Sequence, residues 1–160
     1  NHRLDSFSVR FRTAYAVNWR TVWFSSNILP TDRDKYLFDT NILIGLVNND
    51  ESIINFINSL TEDNIYFSVV TKCEFMAGFS SMDEVTKFEF LNSGKFLDVT
   101  DELSFLAGEI CVLERNKGRR VKTPDALIIA TALLNGLILV TRDKGMLFAR
   151  EVYDLKVKEI

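Results

Sequence analysis

A chain of 160 residues and 18.4 kDa, 47% hydrophobic and 26% charged, has the size and composition of one domain with its own core. Its formal charge of -3 excludes a generic electrostatic nucleic-acid binder, so any contact with a polyanion has to be local. No apolar run reaches the ~18 residues of a membrane span, and a single histidine, His2, argues against histidine chemistry.

Residues 1–34 differ from the rest. Arg3, Arg10, Arg12 and Arg20 face one early acid, Asp5, with Trp19 and Trp23 set among serines. Phe7, Val9 and Phe11 alternate as an edge strand would, and an acid-poor start rich in Arg and Ser also looks like a transit peptide. The reading adopted is an N-terminal extension of uncertain structure, followed by a domain over 35–160. In that domain Tyr36 to Phe38 reads as the first strand. A helix runs from about Thr40 to the turn cluster Asn48-Asn49-Asp50, and a second helix covers Ser52 to Leu60. Ile65 to Val70 is the second strand, followed by a helix opened by Thr71. Met82 to Leu91 reads as one further helix, and Phe96 to Val99 as the third strand. Asp101 to Asn116 is a long amphipathic helix. Thr123 as N-cap and Pro124 in the first turn open the next, which Asn135-Gly136 stops. Leu137 to Thr141 is the fourth strand, a short helix lies near Met146 to Glu151, and Leu155 to Ile160 is the fifth strand. Cys73 and Cys111 fall in helical, apolar context, form neither a disulfide framework nor a zinc spacing, and read as small core residues in a reducing cytoplasm.

Apolar strands alternating with helices predict an α/β fold, a central parallel sheet with helices on both faces. Right-handed crossovers and a doubly wound order 3-2-1-4-5 place a switch point between strands one and four, where ligands bind at the carboxyl ends. Asp39 and Asp143 leave those two ends. Glu74 after strand two and Asp125 at the start of the helix before strand four belong on the same edge. Each acid alone has a structural account. Thr71-x-x-Glu74 matches a capping box, Asp125 sits where a helix dipole favours an anion, Asp39 would cap a helix and Asp143 would serve a turn. Capping does not require all four to share one sheet edge. Two unit charges about 4 Å apart repel by roughly 4 kcal/mol at an effective dielectric near 20, and a hard divalent cation removes that cost. Carboxylates without His or Cys suit Mg²⁺ or Mn²⁺, which can activate water and stabilise a phosphoryl displacement.

Four segments, taken together, resemble a PIN domain, in particular the ribonuclease toxins of VapBC-type toxin–antitoxin pairs. They are Phe38-Asp39-Thr40-Asn41, Ser68-x-x-Thr71-x-x-Glu74, the run from Asp125 to Leu133, and Leu139-Val140-Thr141-Arg142-Asp143. The resemblance implies a Rossmann-like fold, Mg²⁺- or Mn²⁺-dependent cleavage of RNA, a homodimer and a VapB-like antitoxin. Asp39, Glu74, Asp125 and Asp143 would be the catalytic, metal-binding acids, with Thr141 orienting Asp39 and Asn41 supporting the loop. Many such toxins continue the fourth segment into Asp-Phe, whereas Lys144-Gly145-Met146 follows here, which puts a further acidic ligand in doubt. RNA phosphates need cations. Arg119, Arg120 and Lys122 precede Asp125, and Arg142 and Lys144 flank Asp143. The rival readings are a non-catalytic RNA-binding or scaffold protein of the same fold, and an aspartate-based phosphohydrolase with Asp39 as nucleophile. The second would want another acid just after the first, and Thr40-Asn41-Ile42 supplies none.

Overall fold

Tyr36–Phe38 (β1) is three consecutive buried residues, as expected of a strand covered on both faces. The computed structural model describes residues 34–160. After β1 come α1 (Thr40–Val47), α2 (Glu51–Asn58), β2 (Ile65–Ser68), α3 (Val69–Ala77), α4 (Met82–Val85), α5 (Phe90–Ser93) and β3 (Phe96–Leu97). They are followed by α6 (Asp101–Asn116), α7 (Thr123–Asn135), β4 (Ile138–Thr141), α8 (Phe148–Val152) and β5 (Val157–Glu159). All strand pairs are parallel and the order is β3-β2-β1-β4-β5, as the sequence predicts. The extension expected over residues 1–34, with its edge strand at Phe7, Val9 and Phe11, lies outside the described residues but for residue 34.

Alternation along each strand splits the core in two. Tyr36, Phe38, Ile65, Phe67 and Val140 face the layer built from α1 to α5. Leu37, Leu139 and Val157 face α6, α7 and α8. Phe38 anchors the first layer, packing edge-on against Phe67 at 5.9 Å and beside Phe56 at 6.2 Å. Phe38→Ala would cost about 3–5 kcal/mol, the usual loss for a buried ring. The second layer is anchored by α7, whose Ala126, Ile128, Ile129, Ala130 and Ala132 are fully buried. Gly136 ends α7 at φ 62°, a left-handed position that suits glycine. Among the described residues no helix is long and apolar enough to cross a membrane.

Several boundaries differ from expectation, each for a local reason. β2 stops at Ser68 because the Ser68 hydroxyl accepts from the Val70 N–H and caps α3. Thr71 is therefore inside the helix, the expected capping box does not form, and Glu74 lies in the second turn. The single helix expected over Met82 to Leu91 is two short helices. Between them Phe88 turns into an aromatic cluster with Phe75, Phe79 and Phe90. β3 is two residues, and β4 and β5 are shorter than expected. Lys122, not Thr123, occupies the cap position of α7, with no side-chain bond to the helix. Cys73 is exposed on α3 and Cys111 is half-buried, so neither is a fully buried core residue.

Candidate functional site

The sheet delivers Asp39 to its carboxyl edge as the first residue after β1. Its N–H continues the ladder to Val140 O at 3.0 Å, and its side chain turns back to accept from the Thr40 N–H at 2.8 Å. The other carboxylate oxygen accepts from the Thr141 hydroxyl at 2.7 Å and from Asn41 Nδ2 at 3.2 Å. Asp39 is only 6% exposed, yet among the described residues none of its hydrogen-bond partners carries a positive charge. Burial therefore dominates and pushes the Asp39 carboxyl above its usual range. The bonds from Thr141 and Thr40 work against that, while the nearby charges of Glu74 and Asp143 add to it.

The remaining acids come from three other elements. Glu74, exposed on α3, accepts from the Thr40 hydroxyl at 2.8 Å. Thr40 itself is buried beside Thr71 (Oγ1 to Oγ1 3.4 Å). Asp143 follows β4. Its N–H donates to the Thr141 hydroxyl at 3.0 Å and its carboxylate accepts from the Gly145 N–H at 2.8 Å. Asp125, half-buried in the first turn of α7, is pushed up to about 6, first by burial and then by the charges of Asp39, Asp143 and Glu74, with Lys122 opposing. Asp39 and Asp125 thus each lie within electrostatic reach of Glu74, Asp143 and one another. Asp39 and Asp143 do serve as a helix cap and a turn residue, but Glu74 caps nothing and bonds a neighbouring helix instead.

Thr40 is the residue sequence reasoning passed over. It lay between two residues that were singled out, and its position at the start of α1, opposite Thr71 and Glu74 of α3, was the available signal. Asn41 and Thr141 are where expected and bond each other (3.3 Å) as well as Asp39. The basic residues divide. Arg119 pairs with Glu114 at 3.1 Å and lies over the Phe148 ring at 4.5 Å. Arg142 pairs with Asp50 at 2.7 Å. Both guanidinium groups have partners in the protein itself, although Arg119 is exposed, as are Arg120, Lys122 and Lys144.

The donor set fits a hard divalent cation. It is four carboxylates whose mutual repulsion and burial raise two of their pKa values, and an oxygen of Glu74 and one of Asp143 remain outside internal bonds. Among the described residues, however, no three of these side chains close into a ready-made cation cage.

A family model described as PIN domain matches residues 36–151. The toxin FitB of Neisseria gonorrhoeae is 24% identical over 129 residues, covering 72% of this chain and 93% of its own length. The FitAcB structure from the same organism superposes with a TM-score of 0.64 at 24% identity, over 76% of this chain and 95% of that one. VapBC2 of Rickettsia felis, solved bound to a DNA fragment from its promoter, gives 0.65 at 22% identity, over 78% and 98%. A toxin–antitoxin complex from Klebsiella pneumoniae gives 0.62 at 25% identity, over 79% and 100%.

Proposed function

The chain belongs to the PIN-domain family, and from that premise we propose that it is a Mg²⁺- or Mn²⁺-dependent endoribonuclease, the toxin member of a toxin–antitoxin pair. What supports this reading is that Asp39, Glu74, Asp125 and Asp143 come from four separate elements, that the Thr40 hydroxyl beside Asp39 bonds Glu74, that Thr141 bonds both Asp39 and the Asp143 N–H, and that the charges of the other three raise Asp125. These four would hold the cation. When bound, it would supply positive charge to a phosphodiester under attack and lower the pKa of water. The chain's own residues do the rest. Thr141, Asn41 and the Thr40 N–H fix the Asp39 carboxylate, and the Thr40 hydroxyl fixes Glu74. Arg120, Lys122 and Lys144 would meet the RNA backbone, a local basic rim on an acidic protein.

The partners follow from the same premise. The similar structures are toxin–antitoxin complexes, and a cognate VapB-like antitoxin would cover this acidic edge in a cytoplasm that holds both the RNA and the antitoxin. A homodimer has a candidate face on α6, where Phe105 is 76% exposed and Val112, two turns on, is exposed as well.

The test is cleavage of a structured-RNA pool by purified protein with Mg²⁺, Mn²⁺ or chelator, beside Asp39→Asn. Cleavage that needs metal and disappears in the variant supports the reading. The alternative is a non-catalytic RNA binder or scaffold of the same fold. That protein would bind RNA equally with and without chelator and cleave nothing.

A further inference from the structure

We propose that Arg142 is a positioning residue, a clamp that ties the end of β4 to the turn between α1 and α2 and so fixes Asp143 and Asn41, rather than a phosphate contact. This rests on the metal-site reading above. Arg142 lies between Thr141, which bonds Asp39, and Asp143. Its main-chain N–H donates to Asn41 Oδ1 at 3.1 Å, and Asn41 returns Nδ2 to Asp39 and Thr141. Its side chain runs to the turn between α1 and α2. There one terminal nitrogen donates to Asp50 Oδ2 at 2.7 Å and the other to Ser52 Oγ at 2.8 Å.

Asp50 is held in turn. Its Oδ1 caps α2 by accepting from the Ser52 and Ile53 N–H groups, and its own N–H donates to Gly45 O at 3.0 Å. A Cβ at Gly45 would collide with Ile53 Cδ1 and come within ordinary contact, 3.6 Å, of the Arg142 Nη1, so α1, α2 and the guanidinium pack closely here. A planar fork making two charge-assisted bonds to neighbouring acceptors is a geometric restraint as well as a charge. Two of the five N–H donors of Arg142 are held there, and swinging the guanidinium away to a phosphate would break both bonds. Residues that orient ligating groups typically change metal affinity or activity by about 10–100-fold when lost.

The experiment compares wild type, Arg142→Ala, Arg142→Lys and Asp50→Asn in the full chain. Asparagine still caps α2 through its oxygen but presents an amide to the guanidinium. The readouts are Mn²⁺ affinity without RNA, RNA affinity in chelator, and kcat and KM separately. The clamp predicts that Arg142→Ala and Asp50→Asn each weaken Mn²⁺ binding by about tenfold or more and lower kcat rather than raise KM. RNA affinity in chelator stays at the wild-type value. Arg142→Lys rescues little, because one ammonium cannot span both acceptors. Equal Mn²⁺ affinity in all four proteins overturns the clamp. So does RNA affinity that falls in Arg142→Ala and not in Asp50→Asn, since that is the behaviour of a phosphate contact. If the wild type cleaves no RNA, the nuclease reading falls while the Mn²⁺ comparison still judges the clamp.

Discussion

Asp39 and Asp50 do the same local job with opposite electrostatics. Each is the N-cap of a helix, in extended backbone (φ -67° and -65°); Asp39 accepts from the Thr40 N–H and Asp50 from those of Ser52 and Ile53. Burial and neighbouring carboxylates raise Asp39, whereas the Arg142 guanidinium holds Asp50 far below the usual carboxylate range. The difference comes first from burial, which raises Asp39 with a smaller push from Glu74 and Asp143, and from the Arg142 guanidinium, which reaches only Asp50. A capping position therefore says nothing about whether an aspartate is structural or functional. What decides is which side chains the sheet topology brings opposite it.

The largest effect that tests this contrast is Asp39→Asn. Asparagine caps about as well as aspartate, so the fold should persist, with thermal stability in chelator equal to or above wild type. RNA cleavage should fall about 10³-fold or more, the several kcal/mol associated with a metal-organising carboxylate. A variant that loses its fold along with its activity would place Asp39 with Asp50 as a structural cap.

Glu114 sharpens the comparison from the other side. It is as buried as Asp39, with no exposed side-chain surface, but it accepts from Arg119, Lys117 and Tyr153. A buried carboxylate held by cations is structural, unlike Asp39 with its neutral donors, and removing one partner is costly because the charge stays behind. Arg119→Ala should destabilise the protein by about 2 kcal/mol in denaturant unfolding, less than for an isolated pair because two donors remain. Its effect on cleavage should follow lost fold rather than RNA affinity. Smaller still, Asp50→Ala removes a cap and an ion pair at the half-exposed turn and should lower the melting temperature by about 3 °C. Its thermal cost should be larger than that of Asp39→Asn, the reverse of their ranking in activity.

Much of this arrangement was legible in the sequence because it is written in local signals. Apolar runs ending on Asp39 and Asp143 gave strand ends, and Pro124 marked the first turn that carries Asp125. Alternation of strands and helices pointed to a parallel sheet, and the doubly wound order chosen among right-handed crossovers put the four acids on one edge. What was not legible depends on distant partners. Val69 and Val70 look like more strand, and only the Ser68 hydroxyl bonding back to the main chain starts α3 there. Residues 82–91 carry a helical period, but Phe88 and Phe90 enter one aromatic cluster, and tertiary packing outweighs propensity. Arg119 and Arg142 read as free cations because nothing in the sequence says that their partners are Glu114 and Asp50.

The smallest expected effect concerns Asp125 and tests the repulsion at the edge directly. Its folded-state pKa, about 6, stands above its ordinary 3.8, so the folded protein binds this proton more tightly than the unfolded chain. The stabilisation from that proton is complete below pH ~4 and disappears as pH rises through about 6. Asp39 acts in the same direction. In chelator, wild type should therefore lose stability between pH 4 and 7. Asp125→Asn should lose less, and near pH 7.5 it should be the more stable protein by about 1 kcal/mol, a value reduced for the partial exposure of this side chain. Adding Mg²⁺ should stabilise wild type and close the gap, because a cation removes the repulsion that the amide removes by having no charge. Parallel pH profiles for the two proteins in chelator would mean that the four carboxylates do not share one field, and Asp125 would then be only the helix-dipole anion that its first-turn position allows.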